Sequence, residues 1–241
     1  MAFIRWRRGR KKPPLLQRLY TNLVRHYFAK DLLTALQLEA QRESVAYVKQ
    51  HMGQVVICNC RQELWRFAID RVAIEGLYCE FGVKKAASLR EIAAMTTYIV
   101  HGFDSFEGLP EDWAGTVLRK GRFSTRGVLP KVPANCRLHP GWFNKSLPPF
   151  VAEHGGSVAF MHIDCDLYSS TCTIFDHLGP RIVSGTVIVF DEYFNYPNWQ
   201  QHEFKAFQEF VSRHAITYDY LAITALESTV AVQITRVGTS K

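Results

Sequence analysis

Four short apolar runs in this chain each end on an acid: Leu77-Tyr78-Cys79 on Glu80, Tyr98–Phe103 on Asp104, Val158–Ile163 on Asp164, and Val187–Phe190 on Asp191-Glu192. Runs of that length suit strands buried on both faces, and between and after them Ala86–Met95, Leu147–His154, Ser170–Leu178 and Glu203–His214 have helical spacing. Strands and helices in that rhythm predict crossover units, hence an α/β fold with a mostly parallel sheet covered on both faces. Cys136–His139, Thr217–Ala222 and Thr229–Ile234 complete a seven-stranded sheet. The last two follow each other without a helix and read as an antiparallel edge hairpin.

Upstream, residues 15–50 carry leucines at three- and four-residue spacing without Gly or Pro, and Arg61–Ile74 reads as a further helix. The expected division is a basic disordered arm over 1–14, a helical extension over 15–59 and the α/β domain over 60–241. The net charge of +7 is local: Arg5, Arg7, Arg8, Arg10, Lys11 and Lys12 precede any acid, and the remaining chain is nearly balanced. The arm is read as a solvated tail, with contact to nucleic acid or membrane not expected from it. With 47% apolar residues, wholesale disorder is excluded, and no run approaches the ~18 apolar residues of a membrane span. Pro13-Pro14 and Gln17-Arg18 interrupt any secretory core, so the expected location is cytoplasmic. Six cysteines without a CxxC pair suggest free, mostly buried thiols.

Acids at strand ends matter because open parallel sheets bind ligands beyond the carboxyl ends of their strands. Any one of them alone reads equally as a helix N-cap, but four together gather negative charge at one rim. Gly82, after Glu80, leaves room for a ligand to approach the backbone, and Asp104 follows Glu80 by about the spacing at which a carboxylate meets a ribose diol. No GxGxxG, Walker lysine loop, GxSxG or HExxH is present. Asp164 with Asp191-Glu192 suits a hard divalent cation such as Mg2+. Glu107–Pro133, rich in Gly, Pro and Arg, reads as a long loop of the kind that is often functional.

Glu80-Phe81-Gly82-Val83, Gly102–Pro110, Gly141-Trp142-Phe143, Leu147-Pro148, His162–Thr171 and Val189–Tyr193, in that order, closely resemble the macrocin O-methyltransferase-like (TylF-type) class I S-adenosylmethionine-dependent methyltransferases. The resemblance spans roughly residues 60–235. It implies a Rossmann-like class I methyltransferase fold, S-adenosyl-L-methionine as cofactor, and Mg2+-assisted O-methylation of a small hydroxylated or sugar-containing acceptor. Carried over by position, Glu80, Gly82, Ser88, Asp104, Gly141, Trp142 and Asp164 are cofactor residues. Asp164, Asp191 and Glu192 are metal ligands, with Asp164 and Asp191 catalytic. The family also raises the expectation that the N-terminal helices build a homo-oligomer.

The chain departs from the family at Lys84, at Ala86-Ala87, where Gly is common, and at Glu192, where a second Asp is common. The general base is open among Asp166, His162, His139 and His202. Tyr193–Trp199 reads equally as an acceptor wall or as a cap on the sheet, and His202, Glu203, Lys205 and Glu209 read as the solvated face of a helix. Two rival readings stay open: a metal-dependent enzyme acting on a nucleotide-sugar, and an inactive methyltransferase-like binding scaffold whose donor pocket Ala86-Ala87 has closed.

Overall fold

The computed structural model describes residues 15–23 and 31–238; the basic arm lies outside the described residues. Helices α1 (Leu15–Leu23) and α2 (Leu32–His51) come first, followed by β1 (Val56–Cys58) and α3 (Arg61–Ile69). Asp31 caps α2, its Oδ1 accepting the amides of Leu33 at 3.0 Å and Thr34 at 3.3 Å. The alternating part comprises β2 (Leu77–Phe81), α4 (Ala87–Ala94), β3 (Val100–Asp104), β4 (Cys136–Pro140), α5 (Phe143–Glu153), β5 (Val158–Ile163), α6 (Tyr168–Leu178), β6 (Ile182–Phe190), α7 (Glu203–Arg213), β7 (Thr217–Thr224) and β8 (Val230–Arg236).

These strands form one sheet in the order β1-β7-β8-β6-β5-β2-β3-β4, in which β8 alone runs against its neighbours. The expected α/β architecture is present, with eight strands rather than seven. The additional strand, β1, pairs parallel to β7, Val56 opposite Ala222, so the β7–β8 hairpin is not the sheet edge. Three residues are too few to display an alternating pattern, which is why β1 is not visible in a stretch read as helical. Residues 107–133 form turns without a helix.

Successive side chains of each strand point to opposite faces and feed two apolar layers. Cys79, Phe81, Phe103, Met161, Ile163, Ile188 and Phe190 pack with α5, α6 and α7 through Phe150, Phe175 and Phe207. Tyr78, Val100, Phe160, Val187 and Val189 pack with α3 and α4 through Leu64, Trp65, Leu89 and Ile92. Each such fully buried side chain stabilises the fold by about 1.5–3 kcal/mol relative to exposure. The two layers clamp the middle of the sheet and leave its strand ends to the loops. Among the described residues, no helix is long and apolar enough to cross a membrane, and all six cysteines are free.

Candidate active site

The parallel ladder continues past the strands. Gly82 N–H donates to Phe103 O, Asp164 to Phe81 O, Asp191 to Ile163 O and Gly141 to Asp104 O, each at 2.9 Å. The predicted rim residues are therefore held in line by main-chain bonds. The chain turns to opposite sides of the sheet from β2 and β5, and at this switch point a crevice opens. A cavity of about 750 Å3 lies there.

Of the predicted residues, Gly82, Asp104, Trp142, Asp164, Asp191 and Glu192 line that cavity, while Glu80, Ser88 and Gly141 do not. Glu80 is fully buried in β2, its Oε1 3.0 Å from His162 Nδ1 on the neighbouring strand β5. Ser88 is half-buried in the first turn of α4. Gly141 serves through its amide, tying β4 to β3. Neither Ala86 nor Ala87 lines the cavity; Ala86 is buried and left-handed, at φ 59°, where α4 starts.

Gly82 has φ +98°, and a Cβ there would lie 1.8 Å from the carbonyl oxygen of Asp164. Glycine is required because the tops of β2 and β5 touch backbone to backbone. Asp104 faces the same loop. Its Oδ2 accepts the amides of Val83 at 2.9 Å and Lys84 at 2.6 Å, and its Oδ1 accepts that of Phe106 at 2.6 Å. Oδ1, with a single amide on it, keeps lone-pair capacity for a ligand hydroxyl.

Across the switch point, four carboxylates crowd the cavity. Burial, then the negative neighbours Asp191, Asp166, Glu80 and Glu203, hold Asp164 well above the ordinary carboxylate range. Burial and Asp191 push Asp166 up to about 7, with Lys84 opposing. Burial, Asp166 and Asp191 push Glu192 up to about 8, with Arg61 opposing. Desolvation and like charge both favour the protonated acids, and a bound cation would relieve both. Asp191 already has partners: Arg61 at 3.4 Å and the hydroxyl of Thr229 at 3.3 Å. Arg61 also reaches Glu227 at 3.2 Å. Among the described residues, no three His, Cys, Asp or Glu side chains are gathered in a geometry ready for a metal ion.

Glu203 and His202 correct the reading of α7 as presenting a solvated face there: both are buried. Glu203 Oε1 accepts the amides of Cys165 and Asp166 at 3.2 Å, and Oε2 accepts that of Glu192 at 3.3 Å. Burial raises its pKa well above the usual range. His202 Nε2 accepts from the indole of Trp113 at 3.3 Å, pinning the 107–133 loop, whose Glu107, Leu109, Lys120 and Phe123 wall the cavity. The helical period of α7 hides both roles, since its first turn faces the strand ends rather than solvent.

Of the candidate bases, Asp166 alone lines the cavity. His162 is consumed by Glu80, and His139 Nε2 lies 3.0 Å from His101 Nδ1 in an imidazole cluster with His154. In the aromatic segment, Tyr193, Phe194 and Trp199 are buried and none lines the cavity, so it caps the sheet.

The macrocin-O-methyltransferase (TylF) family matches residues 123–228. The 8-demethyl-8-(2,3-dimethoxy-alpha-L-rhamnosyl)-tetracenomycin-C 4'-O-methyltransferase of Streptomyces olivaceus is 34% identical over 107 residues, 37% of this chain. That match spans only 40% of the relative's length. Two solved structures share the fold. The O-methyltransferase NovP has a TM-score of 0.54 at 23% identity, covering 73% of this chain and 80% of that one. The calicheamicin methyltransferase CalS11 has a TM-score of 0.56 at 19% identity, covering 90% of each chain. Residues 123–228, which hold Trp142, Asp164, Asp166, Asp191, Glu192 and Glu203, are thus similar to the macrocin-O-methyltransferase (TylF) family, and the chain shares the fold of the two solved O-methyltransferases.

Proposed function

We propose that the protein is an S-adenosylmethionine-dependent O-methyltransferase acting on a hydroxyl of a sugar-containing natural product. The observation that carries this reading is a single cavity that sets Gly82, Asp104 and Trp142 beside Asp164, Asp166, Asp191 and Glu192. Its volume lies within the range of small-molecule sites. The methyltransferase relatives, one named for a rhamnosyl tetracenomycin, support the acceptor class.

In this reading Asp104 takes the ribose hydroxyls, Gly82 lets the donor approach the main chain and Trp142 lies against the adenine. Asp164 faces the methyl-donor side. Asp166, on the cavity surface, receives the acceptor hydroxyl's proton on its carboxylate. Methyl transfer is an in-line displacement, so the gain comes from orientation, with effective molarities on the order of 10⁵–10⁸ M for well-positioned pairs. Asp164, Asp191 and Glu192 would supply the oxygen donors that Mg2+ takes, and their crowding favours a cation, but they are not gathered into a ready metal cluster and would have to draw together around one. When bound, the ion supplies Lewis-acid stabilisation of the acceptor oxygen.

The test is calorimetric titration with S-adenosylhomocysteine, with magnesium and again with chelator, followed by incubation of rhamnosylated acceptors with S-adenosylmethionine. Micromolar binding and the gain of one methyl group by mass spectrometry are expected. Folded protein that binds no S-adenosylhomocysteine under either condition overturns the reading.

A further inference from the structure

The first residue of α3 reaches the acids from outside the alternating part of the fold. β1 pairs with β7, Cys58 opposite Thr224, and the amide of Ala225 donates to Cys58 O at 2.8 Å. That pairing sets the start of α3 against the turn between β7 and β8, where Glu227 lies. From there Arg61 extends into the cavity, its Nε 3.2 Å from Glu227 Oε1 and its Nη1 3.4 Å from Asp191 Oδ2. Asp191 Oδ1 accepts the hydroxyl of Thr229 at 3.3 Å, so the protein itself occupies both oxygens of this carboxylate. Burial opposes the charge on Arg61, but Asp191, Glu227 and Asp164 outweigh it and raise its pKa. The same guanidinium opposes the upward shift of Glu192. Asp164, Asp191 and Glu192 thus share one cation that the chain supplies.

The guanidinium is divided between two partners. It gives one N–H to each carboxylate, and its contact with Asp191 is longer than the ~2.7–2.9 Å of a charge-assisted bond. Glu227, outside the cavity, holds a second oxygen in reserve: its Oε2 is buried with no hydrogen-bond partner among the described residues. A buried oxygen left unpaired is costly, and two parallel bonds to one carboxylate are the strongest arrangement open to Arg. Turning the guanidinium away from Asp191 completes that fork on Glu227 and clears Asp191 Oδ2. A divalent cation on Asp191 Oδ2 and Arg61 in its present place would be like charges on one oxygen, so each excludes the other.

We infer that Arg61 holds Asp191 in place of a divalent cation and gives it up by closing onto Glu227, so that the Arg61–Glu227 pair sets the metal affinity of the site. This role deepens the methyl-transfer reading and rests on it, because that reading places a cation among Asp164, Asp191 and Glu192. It also accounts for acids that are crowded but not drawn together: one of them is already held from the side.

The test is titration of the full-length protein with Mn2+, which shares the oxygen preference of Mg2+. Free Mn2+ is read by electron paramagnetic resonance, with neither methyl donor nor acceptor present. Asp191→Asn should abolish binding, and binding that survives it overturns the inference. Arg61→Gln should tighten binding at least about tenfold, and Glu227→Gln, which leaves Arg61 only Asp191, should weaken it at least about fivefold. In the Arg61→Gln background, Glu227→Gln should change the affinity by less than about twofold, because its effect runs through Arg61. An equal effect of Glu227→Gln in both backgrounds overturns the inference, since mere loss of a nearby negative charge would act in both. Unaltered affinity in Arg61→Gln overturns it too, as does absence of Mn2+ binding to wild type and Arg61→Gln alike. Thermal melts confirm that each variant folds, and Arg61→Met takes the place of Arg61→Gln in the same cycle if the latter does not. Binding of S-adenosylhomocysteine in chelator is measured apart. Its absence removes the methyl-transfer reading and leaves the Mn2+ order standing, whereas a different Mn2+ order removes the role of Arg61 and leaves cofactor binding standing.

Discussion

The carboxylate of Glu203 accepts the amide of Glu192 at 3.3 Å and, through its other oxygen, the amides of Cys165 and Asp166 at 3.2 Å. One buried side chain thus ties the loop after β5 to the loop after β6. Glu203→Ala leaves three amides without their acceptor and is expected to destabilise the protein by about 2–4 kcal/mol. Glu203→Gln keeps a carbonyl acceptor and should cost less. Urea denaturation of both variants checks the order.

The crowded acids make stability depend on pH. Asp166 and Glu192 have folded pKa values of about 7 and about 8, above their unfolded values, so the folded state holds more protons where they titrate. Their contribution is present at low pH and is lost as pH rises through the folded values. His101 acts oppositely: burial first, then His139, lowers it to about 4, so it costs stability as pH falls below about 6.5. The clean window is pH 6.5–8, where stability should fall with rising pH by up to about 1.4 kcal/mol per unit for each proton held only in the folded state. Asp166→Asn combined with Glu192→Gln should flatten that slope in thermal melts across the window.

Gly82→Ala is expected to be among the most damaging single changes in the chain. The added Cβ would meet a main-chain oxygen at 1.8 Å, and the residue would have to keep a φ of +98°. A loss of at least about 4 kcal/mol, or failure to accumulate as folded protein, is expected. Gly155→Ala, with nothing within 4 Å of the new methyl, is the matched control and should remain within about 0.5 kcal/mol.

In the proposed reading Asp104 has a double role, in the loop and in donor binding, and one variant measures both. Asp104→Ala removes the acceptor of the Val83, Lys84 and Phe106 amides and is expected to cost about 2–3 kcal/mol of stability. Binding of S-adenosylhomocysteine, measured on the folded variant in the cold, should weaken at least tenfold. Wild-type affinity in folded Asp104→Ala would remove Asp104 from the donor site.

The parts of the fold legible in the sequence were those whose pattern is local. The strands ending at Phe81, Asp104, Ile163 and Phe190 announce themselves by apolar runs that stop on an acid or just before a Gly or an acid, and the structure brings those ends to one rim. Tertiary placement hides the rest. β1 is a strand only because β7 is there to pair with it. Glu80, an acid of the same pattern as its rim neighbours, is turned inward to His162 because strand side chains alternate and it falls on the face of Tyr78. Arg61, which reads as the start of a helix, arrives beside Asp191 from 130 residues away. Trp113 and His202 meet across 89 residues, a separation at which no local pattern links them.

His202 and Glu203 are consecutive, yet one anchors the loop that walls the cavity and the other fastens the amides beneath its acids. Roof and floor of the chamber hang from the same peptide. A ligand too bulky for the roof would strain the head of α7 and, through it, unsettle the acids beneath, among them the proposed base Asp166. If the protein is the methyltransferase proposed, enlarging its acceptor range by loop changes alone should therefore erode turnover, unless the start of α7 is redesigned in step with the loop.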